Sequence, residues 1–277
     1  MDVIAELAEV YPQLYLDPER NDTEAYRAIV LRGDRPESKD LSHFVMDPRD
    51  RTEYIKTPAG TAQVTTLYTR RDFEVFVRCM MAAKDGPDKE IPATMGASTL
   101  ITFNWQKIRA REENYKDMII LLSRGPYSNV PASDAGLVLG KDIGEEEWLD
   151  ISDDIRKYHE LTHFVCRTLY PDMIDAVWDE LVADAAGIYA ALGRYDRGLE
   201  ELFLGIKDGR YAGGRLENYL NEDEDIESLV TGICTVLSEF EKIAEEDSGR
   251  DVFELILVLE DKKDCFNIRE TAEKNSL

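Results

Sequence analysis

The run Tyr158-His159-Glu160-Leu161-Thr162-His163 places two histidines four residues apart. On a helix both imidazoles then leave one face and can reach a single ion. Glu160 follows the first histidine directly, so it stands beside that ion without binding it. There it can hold a water molecule and take its proton. Two of the chain's three histidines fall in this run, and metal-assisted hydrolysis is the chemistry that such residue types at such spacing serve. Downstream, Trp178-Asp179-Glu180-Leu181-Val182-Ala183-Asp184 supplies two further acids, Glu180 and Asp184, one helical turn apart.

The elements that must position these groups follow from the flanking residues. Ser152-Asp153-Asp154 offers an N-cap and an acidic first turn, and Pro171 stops the segment, which predicts a helix over about 153–170. Residues Asp172 to Leu192 predict a second helix, with Ile174, Val177, Trp178, Leu181, Ala185, Ile188 and Leu192 recurring at threes and fours. His163 lies roughly 10 Å of helix axis before the turn at Tyr170-Pro171, and Glu180 roughly 13 Å beyond it, so the two meet at similar heights across an antiparallel hairpin. Two histidines and one glutamate with an open fourth position are the donors of a catalytic zinc site. Asp184 is placed to accept the second N–H of a ligand histidine.

His159-Glu160-Leu161-Thr162-His163 with Glu180-x-x-x-Asp184 resembles the gluzincin group of zinc metallopeptidases, the thermolysin-like pattern, over about residues 152–188. The resemblance implies Zn2+ held by His159, His163 and Glu180, Glu160 as general base, and Asp184 orienting a ligand. A metzincin would need a histidine six residues after His163, where this chain has Leu169. Thermolysin-like enzymes also set a later histidine against the developing oxyanion, and no histidine follows His163 here. Tyr211, in the glycine-rich loop Gly209–Arg215, is the substitute expected in that role, as tyrosines serve in related aminopeptidases, with Arg210 and Arg215 as further donors or as ligands of a substrate carboxylate.

A net charge of −24 over 277 residues opposes binding to nucleic acid or to an anionic membrane. Cys79, Cys166, Cys234 and Cys265 are widely spaced and read as free thiols of a reducing compartment. Cys166 shares the histidine face but lies about 10 Å along the axis from His159, which marks it as a packed core thiol. The N-terminus lacks a basic region and a long apolar run, so a soluble, cytoplasmic protein is expected. His43 stands apart from other ligand types and reads as hydrogen-bonded or exposed.

Short helices are expected at Val3–Val10 and Thr23–Leu31, and a strand at Ala62–Tyr68. A helix follows at Phe73–Ala83, whose Phe73, Phe76, Val77 and Met80 form a core face. Gly96–Phe103 and Met118–Leu122 read as strands, Trp105–Asn114 as a helix, and Gly136–Leu139 as a short strand. In gluzincin-like folds an edge strand pairs with extended substrate, for which Gly136–Leu139 and Gly96–Phe103 are the two candidates. Asp196–Ile206 and Ile226–Ala244 are expected helices, Val252–Leu259 is helix or strand, and the tail from Lys262 frays. Asn221–Asp225 fails the calcium-loop pattern at Ile226 and Gly232 and reads as a solvated acidic turn.

The whole is a mainly helical α+β protein: residues 1–150 carry a small sheet, residues 151–277 carry a zincin-like helix hairpin, and a cleft lies between them. The expected activity is zinc-dependent hydrolysis of a peptide, with a small non-peptide amide as the alternative substrate and a non-catalytic metal-binding protein as the alternative function. Nothing in the sequence sets the oligomeric state.

Overall fold

The computed structural model describes residues 2–172, 175–220, 225–246, 249–265 and 268. Ile174, most of the acidic turn at 221–225 and most of the tail lie outside them. The chain is α+β, with more than half of it helical and a small mixed sheet. Among the described residues no helix is long and apolar enough to cross a membrane.

The chain divides into two units, Met1–Lys56 with Thr61–Arg124, and Thr57–Gly60 with Gly125–Leu277. The expected boundary near 150 therefore moves upstream. Its cause is apolar: Tyr127, Val130, Ala132, Ala135, Ile143 and Trp148 are buried in the same core as the helices that follow them.

In the first unit, helices α1 (Val3–Val10) and α2 (Thr23–Arg32) precede strands β1 (Arg51–Thr57) and β2 (Gly60–Leu67), helix α3 (Arg70–Asp85), strand β3 (Ala97–Phe103), helix α4 (Trp105–Ala110) and strand β4 (Lys116–Ser123). The strand order is β1-β2-β4-β3. Strand β2 runs parallel to β4, with Leu67 opposite Ser123, and β3 runs antiparallel to β4 at the sheet edge. Phe73, Phe76, Val77 and Met80 of α3 are buried with Ile4, Leu14, Leu100 and Ile119, the core face expected of that helix. His43 sets its Nε2 3.0 Å from the Leu14 carbonyl. Strand β1 escaped the sequence reading because Arg51-Thr52-Glu53-Tyr54-Ile55-Lys56 buries neither face, so no alternation marks it.

The second unit runs α5 (Ala132–Leu139), α6 (Glu145–Leu169), α7 (Ala176–Leu192), α8 (Arg197–Leu204), the small hairpin β5 (Ile206–Lys207) and β6 (Arg210–Tyr211), α9 (Ile226–Glu246) and α10 (Val252–Glu260). Three expectations change here. Gly136–Leu139 is the end of helix α5, closed by Gly140 in the left-handed region, and not a strand. Of the two candidate edge strands only Gly96–Phe103 is one. Helix α6 starts at Glu145, eight residues before Asp153. Ser152 does not cap it, because its Oγ is already used in accepting the Tyr127 N–H at 3.0 Å, and Asp153 lies 3.7 Å from Arg156. Helix α7 starts at Ala176, where the Asp175 side chain accepts from the N–H groups of Val177 and Trp178.

Helices α6 and α7 pack closely. A Cβ on Gly187 would stand 2.6 Å from the Ile155 carbonyl oxygen, so only glycine admits this approach. The contact lies one turn from His159 and Asp184, and it brings the two helix faces that carry the polar residues together. Cys166 packs in the same helical core, as expected.

Candidate metal centre

The α6 face built by the four-residue spacing carries His159 and His163, each 6% exposed, with their Nε2 atoms 3.0 Å apart. Glu180 enters from α7. Its Oε2 is 3.6 Å from His159 Nε2 and its Oε1 is 3.5 Å from His163 Nε2. One ligand atom from each of these three residues lies within 4.8 Å of the others. The height match inferred from the sequence is thus realised in space.

Each imidazole is held from behind by its own carboxylate. His159 Nδ1 lies 2.9 Å from Asp184 Oδ1, and His163 Nδ1 lies 3.0 Å from Asp179 Oδ2. His159 Nδ1 is hydrogen-bonded outward to Asp184 and Asp179 stands behind His163 Nδ1, so the Nε2 atom of each ring is turned toward the common centre, the orientation a metal requires. Burial and then His163 push the His159 pKa well down. Burial also opposes the charge on His163, yet Asp179 and Glu180 outweigh it and raise its pKa. Glu180 is held far below the usual carboxylate range, because His163, His159 and Arg215 outweigh its desolvation.

The donor set suits a divalent cation. Asp179, Glu180 and Asp184 converge on two imidazoles and the largely enclosed guanidinium of Arg215, while Arg167, 3.4 Å from Asp179, stands in solvent at the rim. With both imidazoles neutral, three carboxylates face two guanidinium groups, and the remaining negative charge favours a small dication. Glu160, one position from His159, is half-buried on the same helix.

Four further residues come to the site, of which Tyr127 and Tyr219 have no sequence pattern to announce them. Tyr127 sits in the loop before α5, held by Arg156, whose Nη2 donates to the carbonyls of Gly125 and Pro126 at 3.0 and 3.2 Å. The Tyr127 hydroxyl donates to Asp184 Oδ1 at 2.7 Å, and burial pushes its pKa up. Arg215 donates through Nη1 to that hydroxyl at 3.1 Å and pairs through Nη2 with Asp184 Oδ2. Tyr219 donates to Glu180 Oε2 at 2.9 Å. Asp179 is the fourth, and its place beside Glu180 in the chain was the available signal.

Tyr211 is not gathered with them. Its hydroxyl donates to the Gly214 carbonyl at 2.8 Å and accepts the Gly214 N–H at 2.7 Å, so it closes its own turn. The segment Gly209–Arg215, expected as a glycine-rich loop, instead belongs to the hairpin of β5 and β6 and runs into a 3-10 turn at Arg215–Tyr219. Arg215, expected as a donor toward substrate, turns inward to Asp184. Arg210 lies in β6, opposite Lys207.

A protein-family model, described as a family of unknown function (DUF7005), matches residues 102–250, more than half of the chain. The span contains Tyr127, His159, Glu160, His163, Asp179, Glu180, Asp184, Arg215 and Tyr219. No curated protein and no solved structure matches the chain.

Proposed function

Because the chain belongs to the DUF7005 family, whose function is unknown, its activity has to be read from its own side chains, and we propose that it is a zinc-dependent hydrolase of peptide bonds. The observation that carries this reading is the convergence of His159, His163 and Glu180 on one point, each histidine backed by a carboxylate. Helices α6 and α7 then form a zincin-like active-site hairpin. Two imidazoles and one carboxylate leave a coordination position open, as catalytic zinc sites do and closed structural sites do not.

Held by His159, His163 and Glu180, zinc would supply Lewis acidity for polarising the scissile carbonyl and activating the attacking water. Glu160 accepts a proton from the attacking water and returns it to the leaving amine. Asp184 and Asp179 hold the two histidines in the tautomer that points Nε2 at the metal. Tyr219, whose phenol donates to Glu180 at 2.9 Å, takes the oxyanion role in place of Tyr211 by turning its single proton from Glu180 to the charge developing on the substrate oxygen.

The test is a digest of a mixed peptide library by zinc-loaded protein, with Glu160→Gln as the matched control. Cleavage by the wild type and none by the control is the expected result. Equal cleavage by both, or none by either, contradicts the reading.

A further inference from the structure

Resting on the reading that His159, His163 and Glu180 hold a metal, we infer that Arg215 is a positioning residue of that centre, acting through Asp184, and that the segment Gly205–Tyr219 is a fixed part of the site.

Asp184 is fully buried, and its two oxygens are used differently. Oδ1 receives His159 Nδ1–H and the Tyr127 hydroxyl, while Oδ2 faces Arg215 Nη2. A buried carboxylate without a counter-charge is costly, and here Arg215 supplies that charge. The same guanidinium holds Tyr127 through Nη1 and lies 5.4 Å from its ring centroid. Tyr127 in turn packs edge-on against Phe203 of α8 at 4.8 Å. The carboxylate that sets the His159 tautomer is therefore gripped from two sides, by groups 57 residues before it and 31 after it in the chain.

The backbone keeps Arg215 in place. Leu216 is fully buried in the helical core. The Ala212 N–H donates to the Gly205 carbonyl at 2.8 Å, and a Cβ on Gly214 would lie 2.7 Å from Gly205 Cα. Gly205 itself sits at φ +79, a conformation that glycine adopts without strain. Chain segments this close leave Arg215 little freedom to swing toward a substrate. Its guanidinium works inward, and Asp184 then works on the metal ligand.

Asp184 serves His159 alone and Asp179 serves His163 alone, so a double-mutant cycle separates positioning from general support. Zn2+ affinity is measured by competition with a chromophoric chelator in Arg215→Met, Asp184→Asn, Asp179→Asn and the two doubles, with far-UV circular dichroism of each metal-free protein as the control for folding. Arg215→Met is expected to weaken zinc binding about 10- to 100-fold, the range for an outer partner of a metal ligand. Combined with Asp184→Asn it should cost nothing more than Asp184→Asn alone, whereas its effect should multiply with that of Asp179→Asn. Arg215→Lys, which keeps the charge and loses the fork, should recover part of the loss. If Arg215→Met does not fold, Arg215→Gln carries the same cycle; Tyr127→Phe does not, because the Tyr127 hydroxyl also lies 2.8 Å from His159 Nδ1. Wild-type affinity in the Arg215 variant that folds, or losses that multiply equally with both aspartates, overturns the inference and leaves the metal site standing. A wild type that binds no zinc overturns both.

Discussion

His163 and Asp179 face each other at 3.0 Å, and Asp179 immediately precedes Glu180 in the chain. One turn of α7 thus supplies Glu180, which faces both Nε2 atoms, and the carboxylate that stands behind the second imidazole. Adjacent helix residues point about 100° apart, so Asp179 reaches behind His163 while Glu180 reaches in front of it.

The first prediction concerns that contact. Asp179→Ala should fold and keep its helices, but lower zinc affinity about 10- to 100-fold by releasing the His163 ring. Isothermal titration with Zn2+ checks this, and wild-type affinity would show that the contact orients nothing.

Glu160→Gln preserves the side chain's shape and removes its capacity to accept a proton. Zinc content should stay at the wild-type level while peptide cleavage falls by two to four decades. A near-normal rate in the variant would mean that another group acts as base.

Tyr219 and Tyr211 make a matched pair of tests. The Tyr219 hydroxyl lies on Glu180 and that of Tyr211 on its own turn. Tyr219→Phe should lower kcat about 100-fold with zinc content retained, as for a lost transition-state donor. Tyr211→Phe should leave kcat unchanged. Reversal of the two would restore Tyr211 to the oxyanion role.

How much of this was open to a reader of the sequence depends on range. His159, Glu160 and His163 lie on one helix, and Glu180 and Asp184 on the next, so periodicity and rise per residue were enough to bring them together. Tyr127, Arg215 and Tyr219 arrive from loops whose course is set by tertiary packing, and a lone tyrosine or arginine carries no spacing. The glycines around Tyr211 suggest a loop free to move, but they serve a tight hairpin and a close backbone contact between Gly205 and Gly214. Ser152-Asp153 has the composition of a helix cap. It lies inside α6 because Tyr127 and Arg156 occupy the polar atoms that would otherwise compete with the helix.

A pH-dependent prediction comes from the first unit. Asp50 is buried, accepts the Tyr68 N–H at 2.8 Å through Oδ1, and its Oδ2 has no hydrogen-bond partner among the described residues. Burial raises its pKa to about 6 despite the opposing hydrogen bond from Tyr68. A carboxyl that holds its proton more tightly folded than unfolded adds stability below its unfolded pKa, about 3.9, and loses it as pH rises toward 6. At pH 7 the buried charge is a net cost. Asp50→Asn keeps the acceptor and should stabilise the protein at pH 7 by about 1 kcal/mol, a value discounted for water at the partly wetted group, with little effect at pH 4. Urea denaturation at the two pH values checks the sign.

His159, His163 and Glu180 are expected to hold one metal ion between them. Elemental analysis of protein purified, stripped with chelator and reloaded with Zn2+ measures this directly, with His163→Ala and Glu180→Ala alongside. The account predicts about one zinc per wild-type chain and a large loss in both variants. Full zinc content in either variant, or none in the wild type, would contradict it.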